Sequence, residues 1–223
     1  MHNLPLVSCI MPTANREKFV PFAIKYFLGQ TYTNSELIIV DDGLNSIQYL
    51  IPKNERIVYI RLAQSGLVIG TKRNYACEKA KGEIIVHWDD DDWYAPNWIE
   101  LQVHTLLTTG ADLCGLSNLF FYKPMTNQTW KYVYPDNERP WVGGATMAYK
   151  KALWKIKPFI DVQVGEDNQF VWFSPGKIVT HSHLTGFVSL LHPKNTSPKH
   201  INNPRWIHYD SAIIKEIISN KYQ

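Results

Sequence analysis

Cysteine is scarce in this sequence, and the few cysteines are far apart. Cys9, Cys77 and Cys114 are the only three in 223 residues, so neither a disulfide framework nor a paired-cysteine zinc site is indicated. Such usage is typical of a reducing compartment, and we predict a cytoplasmic protein. A strong excess of one charge is also lacking. The formal net charge is +3, with lysine and arginine scattered along the chain, which argues against nucleic acid as a partner.

Long apolar stretches are missing as well. No run of hydrophobic residues approaches the roughly 20 residues of a transmembrane helix, and residues 1–5 do not resemble the start of a signal peptide. We therefore expect at most peripheral contact with a membrane, at its inner face. Hydrophobic residues make up 45% of the chain, enough for a globular core, and the length fits one large domain or a domain with an appendage. The oligomeric state is left open.

The most unusual stretch is an apolar run that ends in consecutive carboxylates. Residues 84–87 are mostly β-branched, which predicts a buried strand, and Asp89, Asp90, Asp91 and Asp92 follow it closely. Adjacent like charges repel one another, and a hard divalent cation is a ligand that would offset them. In an open α/β sheet, ligands bind beyond the carboxyl ends of the strands. These aspartates are therefore predicted to hold a metal that is bound to the phosphates of a nucleotide.

A helix start and a calcium loop are the two alternatives for the acidic run. Ala95 and Pro96 look like the start of a helix, whose dipole favours acidic residues just before it. That accounts for one or two aspartates but hardly for four. In a calcium loop, the fifth position would be Trp93 and the sixth Tyr94, where the loop needs a turn-forming glycine, so we reject it.

Strands and helices alternate along the first half of the chain. Strands are predicted at residues 6–11, 37–40, 57–62 and 84–87, with a helix over 71–81. Another helix follows the first strand and turns one face inward through Phe19, Phe22, Ala23, Tyr26 and Phe27. This alternation, with short connecting turns, predicts an α/β fold with a mainly parallel central sheet flanked by helices.

A second acidic pair follows the second predicted strand. Asp41 and Asp42 precede Gly43, and because Asp-Gly is a common turn pair, a plain turn is the alternative. A carboxylate at this place can accept hydrogen bonds from a base or from a ribose hydroxyl. Lys72 and Arg73 stand at the start of the next predicted helix. They suit phosphate binding, with an exposed basic face as the alternative.

Several segments together resemble one family. They are residues 7–16 (VSCIMPTANR), 36–43 (ELIIVDDG), 70–76 (GTKRNYA), 80–83 (AKGE) and 89–92 (DDDD), with Pro96 after them. In order and spacing they are similar to the family 2 glycosyltransferases, inverting enzymes of GT-A fold. The resemblance implies a GT-A (Rossmann-like) central sheet, a smaller mixed acceptor-side sheet and a C-terminal helix.

The resemblance also implies roles for individual residues. It places Pro12, Thr13 and Arg16 of the first loop beside the nucleotide. Asp42, with Asp41 next to it, would bind the base. Arg73 would lie near the base or the diphosphate, and Asp90 near the ribose. Asp91 would bind the metal, Mn²⁺ or Mg²⁺. Asp89 would be a further ligand, or a carboxylate that supports the ligands without binding the metal. The family's DXD motif has a mixed residue inside the acidic run, and four aspartates leave the register open by one position. The implied donor is a nucleoside-diphosphate sugar, with a UDP-sugar as first choice.

Beyond residue 110 the chain is less regular. A strand is predicted over 111–121, a short partner at 130–134, and a glycine-containing turn and strand over 140–149. The last of these resembles the acceptor-side segment of the family. Glu166 and Asp167 open a short helix, and on pattern alone they form a cap. The resemblance implies instead that Asp167 is the catalytic base, with Glu166 as second choice.

The histidines and the C-terminal segment carry weaker signals. His181 and His183 would share one face of a strand, a spacing that suits a metal, and His192 follows in a loop-rich segment. We predict that His183 or His192 binds the metal or the phosphate. The alternative is that these histidines have only a structural role. Residues 206–222 are predicted as an amphipathic helix that packs on the domain, with a membrane-surface helix as the less favoured interpretation.

We therefore expect a glycosyltransferase domain over residues 1–205, with a nucleotide-sugar-binding half at 1–110 and an acceptor-side half at 111–205, and a C-terminal helix at 206–223. The implied reaction is a metal-dependent, inverting transfer of a hexosyl group to a hydroxyl of a glycan or lipid-linked saccharide, in polysaccharide biosynthesis. Two alternatives stay open. One is a nucleotidyltransferase, although no glycine-rich triphosphate loop is seen. The other is a module that binds sugar nucleotides without catalysis.

Overall fold

The computed structural model describes residues 4–219 and contains a large central sheet, a smaller second sheet and helices packed around them. The strands are β1 Val7–Thr13, β2 Ser35–Asp41, β3 Ile57–Arg61, β4 Ile84–His87, β5 Trp93–Tyr94, β6 Leu113–Gly115, β7 Leu119–Lys123, β8 Gln128–Tyr132, β9 Ala148–Lys150, β10 Ile178–Thr180, β11 Phe187–Leu190 and β12 Trp206–His208. The helices are α1 Val20–Leu28, α2 Ile69–Lys79, α3 Trp98–Thr109, α4 Lys151–Ile156, α5 Glu166–Phe173 and α6 Ser211–Ser219.

The central sheet has the strand order β10-β6-β9-β4-β1-β2-β3. Strand β1 pairs in parallel with β2 and β4, and β2 with β3, while β9 runs antiparallel between β4 and β6. The predicted α/β class with a mainly parallel central sheet is confirmed. Because parallel strands end at the same edge of a sheet, the loops after β1, β2 and β4 open on one side.

Both faces of the central sheet are buried, as its continuous apolar strands require. Every residue of β1 and β2 is buried. Cys9 and Leu37 belong to one hydrophobic layer, and Ile10 and Ile38 to the other. Side chains alternate faces along a strand, so successive residues supply the two layers in turn. Helices α1 and α3 contribute to the first layer, and α2 and α5 to the second.

Helix α1 buries a face that differs in part from the predicted one. Ala23 and Phe27 are buried as predicted, but Phe22 is 59% exposed, and Val20 and Ile24 complete the buried stripe. Both sets have the spacing of one helical face, so the spacing alone did not decide which face is buried. Helix α2 begins and ends two residues before its predicted bounds. Across residues 4–219 no helix has the length and apolar character that a bilayer span requires.

The second sheet has the order β12-β8-β7-β11-β5 and mixes parallel and antiparallel pairs. The single strand predicted over 111–121 is wrong, because the chain divides this segment between the two sheets as β6 and β7. At the break, the N–H of Leu116 donates to the Thr146 hydroxyl at 3.0 Å, and the Asn118 side-chain oxygen accepts the N–H of Tyr134 at 2.9 Å. Side-chain hydrogen bonds therefore replace strand pairing there.

The C-terminal segment is also only partly as predicted. Residues 206–208 form β12, which pairs with β8, and α6 begins at Ser211 rather than at 206. The Asp210 carboxylate accepts the N–H of Ala212 at 2.8 Å, which supports the start of the helix. Ile214 is buried and packs on the second sheet. The end of the predicted helix, residues 220–222, lies outside the described residues, and the domain limits stay a prediction.

Glu36 connects neighbouring parts of the central sheet, and its removal should lower stability. Its Oε1 accepts the Ser8 hydroxyl at 2.6 Å and the N–H of Lys81 at 2.7 Å. We expect Glu36→Ala to lower the free energy of unfolding by about 1–3 kcal/mol, because buried donors lose their acceptor. Urea denaturation measures this change. Glu78→Ala, at an exposed position of α2, is the matched control, and equal stability of the two variants would contradict the assignment.

Candidate active site

A cavity of about 620 Å³ opens beyond the carboxyl ends of β1 and β4. Its volume lies in the range of roughly 300–1,000 Å³ that is typical of ligand sites. Most of the predicted site residues line it, namely Pro12, Thr13, Arg16, Arg73, Asp89, Asp90, Asp91, Glu166 and Asp167. The last two come from the start of α5, so residues distant in sequence meet in one cavity.

Buried aromatic rings fix the backbone of the acidic run. Trp88 is fully buried and stacks on Tyr94, with ring centroids 4.0 Å apart. The Tyr94 hydroxyl accepts the backbone N–H of Asp89 at 2.7 Å. At the other end of the run, the Asp92 carboxylate accepts the backbone N–H of Leu190 at 2.9 Å. The four aspartates therefore have different surroundings, although they are adjacent in sequence.

Asp91 is shared by three side chains from distant parts of the sequence. Its Oδ2 accepts hydrogen bonds from Arg16 Nη1 at 3.0 Å, His192 Nε2 at 2.9 Å and Asn195 Nδ2 at 3.3 Å. His192 Nδ1 accepts the backbone N–H of Lys194 at 3.1 Å. A ring nitrogen that accepts leaves the proton on the other one, so Nε2 is the nitrogen that donates to Asp91. The segment after β11 is held in this way at the tip of β4.

The pKa values of Asp90 and Asp92 are both raised, which favours their neutral, protonated forms. Burial raises the pKa of Asp90 to about 7, and the charge of Asp91 adds to this effect. Arg16 and the Thr13 hydroxyl, which donates to Asp90 Oδ2 at 2.5 Å, act in the opposite direction. Burial and Asp91 also raise the pKa of Asp92. A cation at the cavity would stabilise the ionised forms of these groups.

Arg73 joins the acidic run to helix α5. Its side chain is buried, with Nη2 3.5 Å from Asp89 Oδ1 and Nε 3.3 Å from Glu166 Oε1. The guanidinium also contacts the ring of His87. Burial raises the pKa of Glu166 to about 7, and Arg73 acts against that increase. The predicted contact of Arg73 with base or diphosphate stays a prediction, and the structure places its guanidinium between two carboxylates in the cavity wall.

Asp167 is the more accessible of the two acids in α5. It is half-buried, whereas Glu166 is 4% exposed and paired with Arg73. Asp167 Oδ1 accepts the backbone N–H of Asn168 at 2.7 Å. Its Oδ2 lies against Gly144, where an added Cβ would come within 2.1 Å. The glycine therefore leaves the space that the carboxylate occupies.

Asp41 and Asp42 are not among the described residues that line the cavity. Asp41 is fully buried, pairs with Arg61 at 3.0 Å, and accepts the backbone N–H of Gly43 at 2.8 Å. This contact within the loop is typical of the plain Asp-Gly turn, the alternative to a nucleotide-binding role. Asp42 pairs with Lys72 at 2.7 Å, and Lys72 itself lines the cavity. Both carboxylates are thus engaged with the protein, and the reading of a base by Asp42 stays a prediction.

His183, which we predicted as a metal ligand, does not line the cavity in the part of the chain that the structure describes. Its ring lies beside that of His181, with centroids 5.1 Å apart. Burial lowers the pKa of His181 to about 4, so that ring is neutral near pH 7. The geometry brings His192 rather than His183 to Asp91. The spacing of His181 and His183 carried no information about which loop returns to the acidic run.

Other cavity residues carry no motif and were missed at the level of sequence. They include Trp141, Asn168, Lys194 and Lys199. Trp141 lies within the segment that resembles the acceptor side of the family, and Asn168 directly follows the acidic pair of α5. The segments around Trp141 and Asn168 therefore pointed to the cavity, whereas the residue types of these two positions alone did not.

Loss of Arg73 should destabilise the fold in a pH-dependent way. Glu166 holds its proton more tightly in the folded chain, with a pKa of about 7, than at its ordinary value of 4.5. The free energy of unfolding therefore falls as pH rises through this window. Without Arg73 the fall should be steeper. Arg73→Met should cost about 3–5 kcal/mol at pH 8 and clearly less at pH 5, as measured by urea denaturation.

Arg56→Met is the matched control for this prediction. Arg56 donates to the carbonyls of Thr33 and Leu28 and to the Ser35 hydroxyl, and it lies over the ring of Phe27. Because these partners are uncharged, Arg56→Met should lower the free energy of unfolding by a similar amount at both pH values. An Arg73→Met cost that is equal at pH 5 and pH 8 would show that Glu166 is not the group concerned.

Comparison with known proteins identifies the family. The family model described as Glycosyl transferase family 2 matches residues 8–163, more than half of the chain. A putative colanic acid biosynthesis glycosyl transferase, WcaA of Escherichia coli (strain K12), is 45% identical over 128 residues, which cover 51% of this chain and 45% of that protein. An uncharacterized glycosyltransferase of Haemophilus influenzae is 35% identical over 111 residues, which cover 47% of this chain and 44% of the relative. The chain thus spans less than half the length of these two relatives.

A third relative and a solved structure extend over more of the chain. The UDP-Glc:alpha-D-GlcNAc-diphosphoundecaprenol beta-1,3-glucosyltransferase WfgD of E. coli is 26% identical over 187 residues, which cover 76% of this chain and 69% of WfgD. TarS of S. aureus in complex with UDP-GlcNAc superimposes with a TM-score of 0.66 at 18% identity, covering 89% of this chain and 61% of TarS. At that identity the likeness shows the fold, which is GT-A. The chain belongs to Glycosyl transferase family 2.

Proposed function

We propose that this chain is an inverting glycosyltransferase that moves a sugar from a nucleoside-diphosphate sugar to a hydroxyl of a glycan or lipid-linked saccharide. The observation that carries the proposal is a single cavity lined by Asp89 and Asp91 beyond β4 and by Asp167 of α5. Arg73 links the two sides through Asp89 and Glu166. In this proposal the leaving diphosphate would lie beside the base for the acceptor, as direct displacement requires.

The donor that we propose is a UDP-sugar. Arg16, Lys72, Lys194 and Lys199 line the cavity and supply cationic groups that suit a diphosphate. The name of WfgD specifies UDP-Glc, and TarS was solved with UDP and with UDP-GlcNAc. These relatives support the uridine nucleotide, and they differ in the sugar.

The cation that we propose is Mn²⁺ or Mg²⁺, with Asp91 and Asp89 as the side chains that would hold it; His192 could join them only by giving up its hydrogen bond to Asp91. Carboxylate oxygen and imidazole nitrogen are suitable donors for such ions. Within residues 4–219 no three acidic, histidine or cysteine side chains form a ready-made cation site. This arrangement fits a cation that binds together with substrate phosphates, as Mg²⁺ commonly does. When bound, the ion would neutralise charge on the departing diphosphate.

Asp167 is the base in this proposal. Its Oδ1 is held by the Asn168 N–H, which orients the carboxylate and leaves Oδ2 for the acceptor hydroxyl. As that oxygen attacks C1 of the donor sugar, its proton passes to Asp167 and the C1–O bond to the diphosphate breaks. Attack from the face opposite the leaving group inverts the anomeric centre. Glu166 does not compete for this role, because it is buried and paired with Arg73.

The acceptor that we propose is a saccharide linked to a lipid diphosphate, made during polysaccharide assembly. The name of WfgD specifies such an acceptor, and that of WcaA refers to colanic acid biosynthesis. Peripheral contact with the membrane would bring the cavity to this substrate and belongs to the same proposal.

A turnover assay tests the function. The protein would be incubated with Mn²⁺, with UDP-Glc, UDP-GlcNAc or UDP-galactose, and with α-GlcNAc diphosphate carrying an octyl chain as soluble acceptor. We expect one donor to release UDP faster with acceptor than without, and the product to carry a β linkage if its donor is an α-linked sugar. Tight binding of UDP without release of UDP from any donor would favour the non-catalytic alternative.

Substitutions of Asp91 and of Asp167 should differ in their effects on UDP binding, although both should lower turnover. Asp167→Asn should lower kcat by about 10²–10⁴-fold, the usual range for loss of a general base, and leave the affinity for UDP with Mn²⁺ unchanged. Asp91→Asn should abolish transfer and also weaken UDP binding by at least about tenfold in the presence of Mn²⁺. Isothermal calorimetry of UDP with and without Mn²⁺ measures the difference.

Asp136→Asn is the matched control for the charge change, because Asp136 is exposed and does not line the cavity within the described chain. It should alter neither property. Equal loss of UDP binding in Asp91→Asn and Asp167→Asn would reject the separate roles, even if both variants had lost turnover.

A further inference from the structure

The cavity has an aromatic side that the proposed donor chemistry does not use. Leu119, Phe121 and Phe187 line it and are buried, while Trp141 is only partly buried. The aspartates and the cationic side chains line the same cavity. A nucleoside diphosphate suits these charged groups, so the aromatic surface that Trp141 offers is available to an uncharged part of the substrates.

Trp141 is held in one orientation. Its Nε1 donates to Asn168 Oδ1 at 2.7 Å. One face of the indole stacks on Tyr134, with centroids 5.1 Å apart and planes inclined by 25°, and Tyr132 meets it edge-on at 5.6 Å. Arg205 lies over the ring of Tyr134, 5.2 Å from its centroid. A ring fixed by a hydrogen bond and two aromatic contacts loses little further entropy when a ligand packs on it.

The contact with Trp141 also decides how Asn168 presents its amide. An indole N–H can only donate, so the atom that it meets must be the amide oxygen. The NH₂ group of Asn168 is then the part that can donate to a ligand. Asn168 lines the cavity and directly follows Asp167, and its backbone N–H holds the Asp167 carboxylate. One residue thus connects the aromatic ring, an amide donor and the proposed base.

We propose that Trp141 and Asn168 form the subsite for the terminal sugar ring of the acceptor. An uncharged pyranoside would lay its C–H face on the indole and accept a hydrogen bond from the Asn168 amide, which brings a neighbouring hydroxyl to Asp167. The inference rests on the proposed transferase function and adds the substrate group that meets the aromatic side. Trp141 selects and orients the acceptor ring, and the proton of the reacting hydroxyl still goes to Asp167.

Binding measured without turnover tests this subsite. The protein, with UDP and Mg²⁺, is titrated with methyl α-glycosides of glucose, galactose and N-acetylglucosamine, and saturation-transfer NMR reports contact with their ring protons. We expect transfer to at least one glycoside in the wild type. Trp141→Ala should reduce it at least about fivefold, and Trp141→Phe and Asn168→Ala by smaller factors, because each removes the hydrogen bond that orients the ring.

Trp172→Phe is the matched control, since Trp172 packs against the hydrophobic core and is not among the described residues that line the cavity. It should leave saturation transfer unchanged. Calorimetry of UDP with Mg²⁺ should give the same affinity within about twofold for every variant, which also shows that each is folded. Where turnover is measurable, Trp141→Phe should raise the KM for the acceptor and not that for the donor.

The outcomes separate a failure of the acceptor subsite from a failure of the proposed transferase function. Full saturation transfer in Trp141→Ala, or none to any of the three glycosides in the wild type, overturns the acceptor subsite and leaves the donor site standing. Loss of UDP affinity in Trp141→Phe would assign the ring to the donor and also overturns it. Failure of the wild type to bind UDP rejects the transferase proposal and the subsite with it.

Discussion

Consecutive carboxylates repel one another, and the chain around the tip of β4 is arranged to hold that charge in place. Asp91 shares one oxygen with Arg16 and His192, and Asp89 faces Arg73. Burial works against ionisation of the remaining carboxyl groups, and it raises the pKa of Asp90 to about 7. The partners come from the loop after β1, from α2 and from the segment after β11. These three parts must therefore meet at one place, and the cavity forms where they do.

Rigid surroundings allow this charge to be presented in a fixed geometry. The stack of Trp88 on Tyr94 fixes the backbone before the acidic run, and both rings are buried. Helix α5 is fixed at its start by the pair between Glu166 and Arg73. The same pair separates the two acids of α5, because one is engaged in the wall and Asp167 is left facing the cavity. Ion pairing thus distinguishes adjacent carboxylates that have the same chemistry.

The cavity combines charged with aromatic side chains, and these come from different parts of the fold. The charged ones are carried mainly by loops at the edge of the central sheet, where the side chains of several strand ends meet. Trp141 contacts Tyr132 of the second sheet and Tyr134 beyond it. Asn168 connects the two groups of side chains, because it contacts both Trp141 and Asp167.

The sequence by itself determined the α/β class, the strands β1, β2 and β4, and the acidic run after β4, because their signals are local: apolar runs that end in polar clusters. Other cavity residues, such as Arg16 and Asp167, were indicated only by the family resemblance. The prediction from sequence was wrong over 111–121 and at residues 206–208, where pairing with distant strands overrides the local pattern. Only the tertiary structure decided that Asp41 is turned into the protein, and that His192 rather than His183 reaches Asp91. The reason is physical: which charged side chains stay free depends on partners brought together through space, and these are not encoded by spacing along the chain.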